Sequence, residues 1–311
     1  MMMNSTISVI ICTKNRLEDF RRTLVSLTKQ NRLPDELIVV DSSDGSNIQD
    51  YVLTIDAAFQ CRYARAPLGL TRARNVGVQH SRGDLLFFFD DDVDLDVNYI
   101  ARVEFAFHSN LMPDLGAVGG RIVNEVRLAP ATPWLYFKRR IFDLLQTVFL
   151  LSKLGNGRFR YSGMPTQPHA LTQSRFIECL SGGCMAFRRE VFEKIRFDEN
   201  LIGYGHVEDA DISKQVLSAG YKILYEAAAQ LEHNPSSEDR VSSRKQAELT
   251  VVNYDRFFRK HWRQSLPRRL AFWWALAGLC LMFIPGNGWV GILNGVGRIM
   301  RRTGTQMEFV P

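Results

Sequence analysis

The apolar positions in the first third of the chain follow two periods. Ile7-Ser-Val-Ile-Ile-Cys12, Leu37-Ile-Val-Val40 and Leu85-Leu-Phe-Phe-Phe89 are short apolar runs bounded by turn formers. That is the pattern of strands buried on both faces. Between the first two, Leu17, Phe20, Leu24 and Leu27 recur at spacings of three and four, which predicts an amphipathic helix over Leu17–Gln30. Further helices are predicted over Tyr51–Phe59 and Gly69–His80, with a short strand over Arg62–Ala66. Strands alternating with helices imply βαβ units and parallel pairing.

The middle of the chain is less regular. Ile122 to Pro168 holds Trp134, the basic Lys138-Arg-Arg140 patch and an apolar run from Ile141 to Leu154, followed by loop-like glycine clusters. Strands are predicted over Phe176–Leu180, Cys184–Phe187 and Tyr221–Tyr225. A helix is predicted from Arg189, and Gly203–Gly220 reads as a loop followed by a helix with acids at its start. Near the C-terminus, Leu270 to Ile284 is fifteen residues without a charge. As a helix it would reach about 22 Å, short of the roughly 30 Å hydrocarbon core. Pro285-Gly-Asn-Gly288 breaks it, and arginines flank the uncharged stretch 270–297 on both sides. Two readings stand: a re-entrant or in-plane membrane segment with its arginines on the cytoplasmic side, and a buried core helix with a solvated basic face.

Composition narrows the class. Of 311 residues, 46% are hydrophobic and 23% charged, ordinary globular usage that excludes a disordered chain, a collagen and a disulfide scaffold. Five scattered cysteines with no C-x-x-C point to a reducing compartment. The net charge of +6 is uneven: from Arg256 onward nine bases face one acid, a net +8, while the rest carries 30 bases and 32 acids, a net −2. A basic tail without a folded reading element points away from nucleic acid as a partner. Gly286-x-Gly288-x-x-Gly291 matches a dinucleotide pattern but follows no βαβ strand, and reads as a chain break.

Asp90-Asp-Asp92 follows five large apolar residues directly. A buried strand carries its last residues to the carboxyl edge of the sheet, where open α/β sheets bind ligands. Three carboxylates this close raise one another's pKa unless a cation lies among them, and oxygen ligands suit Mg²⁺ or Mn²⁺. Asp90 and Asp92 share one side of an extended chain, so both can face one ion, which can bridge a diphosphate. A solvated acidic turn or a helix cap is the competing reading. Glu208-Asp209-Ala-Asp211 opens a helix after a glycine-rich loop. It reads either as dipole-favoured acids or as a group containing a general base. His233 lies just past a strand, and Lys14, Arg16, Arg72 and Arg74 follow strand ends or lie on the next helix. Arginine matches phosphate geometry, and ordinary surface charge is the alternative.

Taken in order, Ile7-Ser-Val-Ile-Ile-Cys-Thr-Lys-Asn-Arg16, Leu37-Ile-Val-Val-Asp-Ser-Ser-Asp44, Gly69-Leu-Thr-Arg-Ala-Arg-Asn-Val-Gly77 and Phe87-Phe-Phe-Asp-Asp-Asp92 resemble the family 2 glycosyltransferases of GT-A fold. Ser181-Gly-Gly-Cys-Met-Ala-Phe-Arg-Arg-Glu190 and Glu208-Asp-Ala-Asp-Ile-Ser213 with Ala219-Gly-Tyr221 continue the resemblance, which covers about Ile7 to His233. It implies an α/β fold with a mostly parallel mixed central sheet flanked by helices, expected over 1–255; the basic and apolar C-terminal segment over 256–311, expected from its residues to associate with a membrane, is read beside it, with the stretch from Leu270 outside the resemblance. The resemblance also implies an inverting enzyme that moves a sugar from a nucleoside diphosphate sugar to an acceptor hydroxyl. Thr13, Asn15, Arg16, Asp41, Arg74, Asp90, Asp91 and Gly183 would serve the nucleotide sugar. Asp92, with Asp90 and His233, would hold Mg²⁺ or Mn²⁺. Asp209 would be the general base, with Glu208 and Asp211 in support. No Gln-x-x-Arg-Trp occurs, so single addition is expected rather than processive synthesis. With the tail, the expected setting is the cytoplasmic face of the cell membrane, peripheral or re-entrant, acting on a lipid-linked or surface-glycan acceptor. The alternative is a membrane-associated sugar-nucleotide binder that transfers nothing.

Overall fold

The computed structural model describes residues 5–109, 113–124, 132–151, 156–168, 171–203, 205–235, 242–282 and 288–301. A nine-stranded mixed sheet forms its centre. The strands are β1 (Ile7–Thr13), β2 (Glu36–Asp41), β3 (Gln60–Arg65), β4 (Leu85–Asp90), β5 (Val93–Leu95), β6 (Leu115–Ile122), β7 (Arg175–Ile177), β8 (Cys184–Arg188) and β9 (Lys222–His233). Their order is β3-β2-β1-β4-β8-β6-β9-β5, with β7 also paired to β9. The first four are parallel, and β8 runs antiparallel to both β4 and β6.

Alternation along the strands divides the core. Val9 and Ile11 face one side with Phe20, Leu24 and Leu27 of α1 (Leu17–Thr28), whereas Ile10, Ile38 and Val40 face the other with Ala73 of α3 (Leu70–His80). Fully burying such a side chain contributes about 1.5–3 kcal/mol, so a one-residue register slip would exchange both faces at prohibitive cost. The register Thr13↔Asp41 and Cys12↔Asp90 therefore fixes three polar strand ends at one edge of the sheet.

Several elements differ from the sequence reading. The helix expected at Tyr51–Phe59 lies earlier, as α2 (Asn47–Val52), because Ile48 and Val52 form the buried i, i+4 pair while Leu53 is exposed. The helix expected from Arg189 is a single 3₁₀ turn, Arg189–Glu193, that buries only Val191. The strand expected to end at Tyr225 continues to His233: β6 and β7 pair it up to Tyr225, and β6 and β5 pair it again from Gln230. Glu226-Ala-Ala-Ala229 lies at the register shift between those two paired stretches, which hold it extended from both sides despite its helix preference. The first part of the apolar run expected over 141–154 belongs to α5 (Pro133–Val148), while 152–154 lie outside the described residues, and α4 (Tyr99–Ser109) covers β6 and β9.

After α6 (Glu208–Ser218) and β9 comes α7 (Ser243–His261), a helix that runs straight through the expected boundary at 255/256. The helices α8 (Leu266–Met282) and α9 (Gly288–Arg301) follow. Ala271, Phe272, Ala275 and Leu276 of α8 and Ile292 and Ile299 of α9 join Val251 and Phe258 of α7 in one cluster. One side of the C-terminal segment is thus packed as core. Among the described residues, no helix is long and apolar enough to cross a membrane. The expected Pro285 break lies outside the described residues, and Gly288 and Gly291 fall in α9, not in a βαβ turn.

Candidate active site

Side chains alternate along the acidic turn after β4. Asp91, buried, turns toward the β1 end, where the Thr13 hydroxyl donates to it at 2.7 Å and Arg16 Nη1 at 3.2 Å. Arg16 Nη1 is also 3.8 Å from Asp92, whose other oxygen lies 3.2 Å from His233 Nε2. The antiparallel register Val93↔His233 accounts for this approach, and Asn124 fixes the histidine backbone through both its amide and its carbonyl. One ligand atom each of Asp90, Asp92 and His233 lie within 4.8 Å of one another. Two carboxylates and an imidazole converging this closely form a donor set that fits a divalent cation.

Arg74 joins this turn to the second acidic group. It is 2% exposed. Its Nη2 donates to Asp90 Oδ1 at 3.1 Å and to the Gly182 carbonyl at 3.0 Å, and its Nη1 pairs with Glu208. A guanidinium can serve three acceptors in one plane, which a lysine cannot. Burial pushes the Glu208 carboxyl up to about 8 and the Asp91 carboxyl up to about 7, against the opposing pull of Arg74 and of Thr13 with Arg16 respectively. Burial likewise raises Asp90, with Asp92 adding to the rise. A cation bound at Asp90, Asp92 and His233 would relieve this crowding of carboxylates.

Two glycines give the acids their room. A Cβ on Gly182 would sit 2.7 Å from Glu208 Oε1, and one on Gly183 would sit 3.2 Å from Asp90 Oδ2. Both lie just before β8, so the Ser181-Gly-Gly183 turn brings its backbone against both acidic groups.

The structure distributes the remaining expected site residues unequally. Asp209 is half-buried at the start of α6 and accepts from Gln167 Nε2 at 2.6 Å and from the Ala210 amide at 2.7 Å. Asp211, expected in support of this group, has its partners elsewhere: Lys260 Nζ at 2.9 Å and His261 Nε2 at 2.7 Å, both on α7. Two residue steps of about 100° each place the two acids about 200° apart around the helix, which sends them to different neighbours. Asp41 is fully buried and accepts from the Ser43 amide, Tyr63 and Arg65, so its carboxylate shapes the loop after β2. Asn15 is exposed, with φ at +57°, and exchanges hydrogen bonds with Asp44.

Three contributors were not foreseen. Thr23 of α1 accepts from the Val93 amide at 3.1 Å and lies 2.9 Å from the Asp91 carbonyl, fixing the acidic turn from below. A threonine on the apolar face of α1 was the available signal. Asn124 and Gln167 come from aperiodic segments that gave none.

The family model described as "Glycosyl transferase family 2" matches residues 8–196. The glucosyl-dolichyl phosphate glucuronosyltransferase of Haloferax volcanii is 29% identical over 125 residues, 38% of this chain and 39% of that protein. The chain thus matches well under two thirds of that relative's length. Among solved structures, GalNAc-T7 with UDP, GalNAc and Mn²⁺ superposes with a TM-score of 0.59 at 18% identity, over 85% of this chain and 49% of that one. Mannosyltransferase PcManGT from Pyrobaculum calidifontis, in complex with GDP-Man and Mn²⁺, does so with a TM-score of 0.54 at 15% identity, over 98% and 77%. Identities this low establish a shared fold and no more. Since the family model covers more than half of the sequence, and the mixed sheet shares its fold with these glycosyltransferase structures, the chain belongs to glycosyl transferase family 2.

Proposed function

We propose that the protein is an inverting, metal-dependent transferase that moves one sugar at a time from a nucleoside diphosphate sugar to a hydroxyl of a lipid-linked or surface-glycan acceptor. The observation that carries this reading is Arg74, buried between Asp90 of the acidic turn and Glu208 of α6. It holds a cation-binding group and a candidate base on one frame.

In this reading Asp90, Asp92 and His233 hold Mn²⁺ or Mg²⁺, with the imidazole favouring Mn²⁺. Such an ion, when bound, neutralises charge on the departing diphosphate. Asp209 takes the proton of the acceptor hydroxyl at a carboxylate oxygen. The acceptor oxygen then bonds to the anomeric carbon as the bond to the diphosphate oxygen breaks, inverting the configuration. Gln167 orients Asp209, and Glu208, engaged by Arg74, sets the start of α6. Thr13 and Arg16 act on the nucleotide side by holding Asp91, and Asn15, Asp41 and Gly183 border that pocket. The Haloferax relative's name, a transferase acting on a dolichyl phosphate sugar, supports a lipid-linked acceptor. The free state of all five cysteines suits the cytoplasmic side. The C-terminal segment would keep the enzyme at the membrane's inner face.

The test is release of nucleoside diphosphate with a donor panel and Mn²⁺. Asp92→Ala is expected to abolish release, and Asp209→Asn to lower it at least about 100-fold, the scale of a lost general base. If both variants keep full turnover, the assignments are wrong. If donor binds with metal but neither acceptor nor water receives sugar, the protein is a sugar-nucleotide binder instead.

A further inference from the structure

The amphipathic stripe of α5 faces outward. Trp134, Phe137, Ile141, Leu144, Leu145 and Val148 are all exposed, by 40–62%. At about 100° per residue they fall within an arc of about 100°, while Asp143 and Gln146 on the other sides of the helix are half-buried. An apolar stripe of this kind ordinarily faces a core. A second stripe lies on α8, where Leu266, Leu270, Trp274 and Leu281 are exposed by 48–68% opposite the face packed on α7. The stripes are joined. Trp274 Nε1 donates to the Val148 carbonyl at 2.8 Å, and its ring stacks on Phe149 with centroids 4.7 Å apart.

Basic groups border the first stripe and lie at the start of α8. The Lys138 ammonium lies 5.1 Å from the Trp134 ring, and the Arg140 guanidinium 5.9 Å from Tyr136. The Arg268 guanidinium lies 5.0 Å from the exposed ring of Tyr161. From Leu266 to Met282 there is no acid. Exposed aliphatic residues with tryptophan and tyrosine, rimmed by lysine and arginine whose stems can lie along apolar surface, match the interfacial layer of a bilayer with anionic headgroups. Neither helix is long and apolar enough to span.

We propose that α5 and α8 together form one in-plane docking face for an anionic lipid bilayer. This rests on the membrane reading given for the C-terminal segment and extends it to a helix in the middle of the chain.

The experiment is co-sedimentation of the full chain with vesicles of phosphatidylcholine containing about one third phosphatidylglycerol, and with phosphatidylcholine alone. The chain is expected to bind the anionic vesicles, and less at high salt. Phe137→Glu/Leu144→Glu on α5 and Leu270→Glu/Leu281→Glu on α8 are each expected to lower partitioning about tenfold or more, with a thermal melt close to that of the unaltered chain. Leu144→Asn, a milder change, is expected to lower it severalfold. If the α5 variants bind as the unaltered chain does and only the α8 variant is released, this proposal fails and the C-terminal membrane reading survives. If no form binds vesicles, both fail. If the chain ignores vesicles but self-associates, and the α5 variants are monomeric, the face belongs to a second copy and the proposal is overturned.

Discussion

Arg74 is 2% exposed between Asp90, Glu208 and the Gly182 carbonyl. Removing one partner of a buried ionic group leaves the others uncompensated, at a cost of about 3–5 kcal/mol. Arg74→Met is therefore expected to lower the melting temperature by many degrees. Arg74→Lys keeps the charge but presents a single ammonium, so a folded protein with strongly reduced turnover is expected, read by melting and donor consumption together. If Arg74→Lys retains full turnover, the three-way grip is not needed. Gly182→Ala pushes a Cβ to 2.7 Å from Glu208 Oε1, and it is expected to depress both stability and turnover, whereas Ala substitution at exposed Gly45, with nothing near it, is expected to change little. The sequence made Asp90 and Asp92 visible because charged residues directly after an apolar strand are costly without a purpose, whereas Arg74 stood out only as an arginine suited to phosphate. It left Gln167 and Asn124 hidden, since a polar residue in an aperiodic stretch looks like any solvated loop position.

At the scale of elements, α7 is held to α6 and to the loop before it by ion pairs rather than by apolar contact alone. Asp198 takes two hydrogen bonds from Arg256, both at 2.9 Å, and one from Lys260 at 3.2 Å, while Asp211 pairs with Lys260 and His261. Burial pushes the Asp198 carboxyl up, but Arg256, the Asn200 amide and Lys260 outweigh it and hold the group well below its ordinary 3.8. A depressed carboxyl contributes stability above its unfolded value and loses it as pH falls through the folded one. Asp198→Asn is thus expected to cost about 1.5–3 kcal/mol near neutrality, and the gap in melting temperature from the unaltered chain is expected to narrow as pH drops below 3.8. A gap that persists unchanged in acid would mean the pair contributes little. The strands of the parallel half could be read from their apolar runs, because burial on both faces leaves a continuous signal. The helix α7 could not, because its buried positions are interleaved with Asn253, Asp255 and other polar groups satisfied only by distant partners. β9 was readable only at its start, since its alanines sit at a register shift and its second paired stretch is set by strands far along the chain.

For the whole molecule, the C-terminal helices serve two environments. Phe272 and Leu276 pack with Phe258 and Val251, while Leu270 and Trp274 look outward. The sequence offered a membrane segment and a core helix as rival readings. The packed face belongs to the second, and the outward face leaves room for the first. Deleting the chain from Arg268 onward is accordingly expected to destabilise the protein by baring Phe258, measured as an earlier melt and aggregation. A truncated chain that melts like the full one would show that α8 and α9 add nothing to the fold.

Nucleoside diphosphate affinity, titrated with Mn²⁺ and again with a chelator, decides whether the acidic turn grips a cation that grips a pyrophosphate. Binding by the unaltered chain is expected to weaken at least about tenfold without metal, each factor of ten being about 1.4 kcal/mol. Asp92→Ala is expected to bind equally weakly in both conditions. Equal affinity with and without metal, together with an undiminished Asp92→Ala, would contradict it.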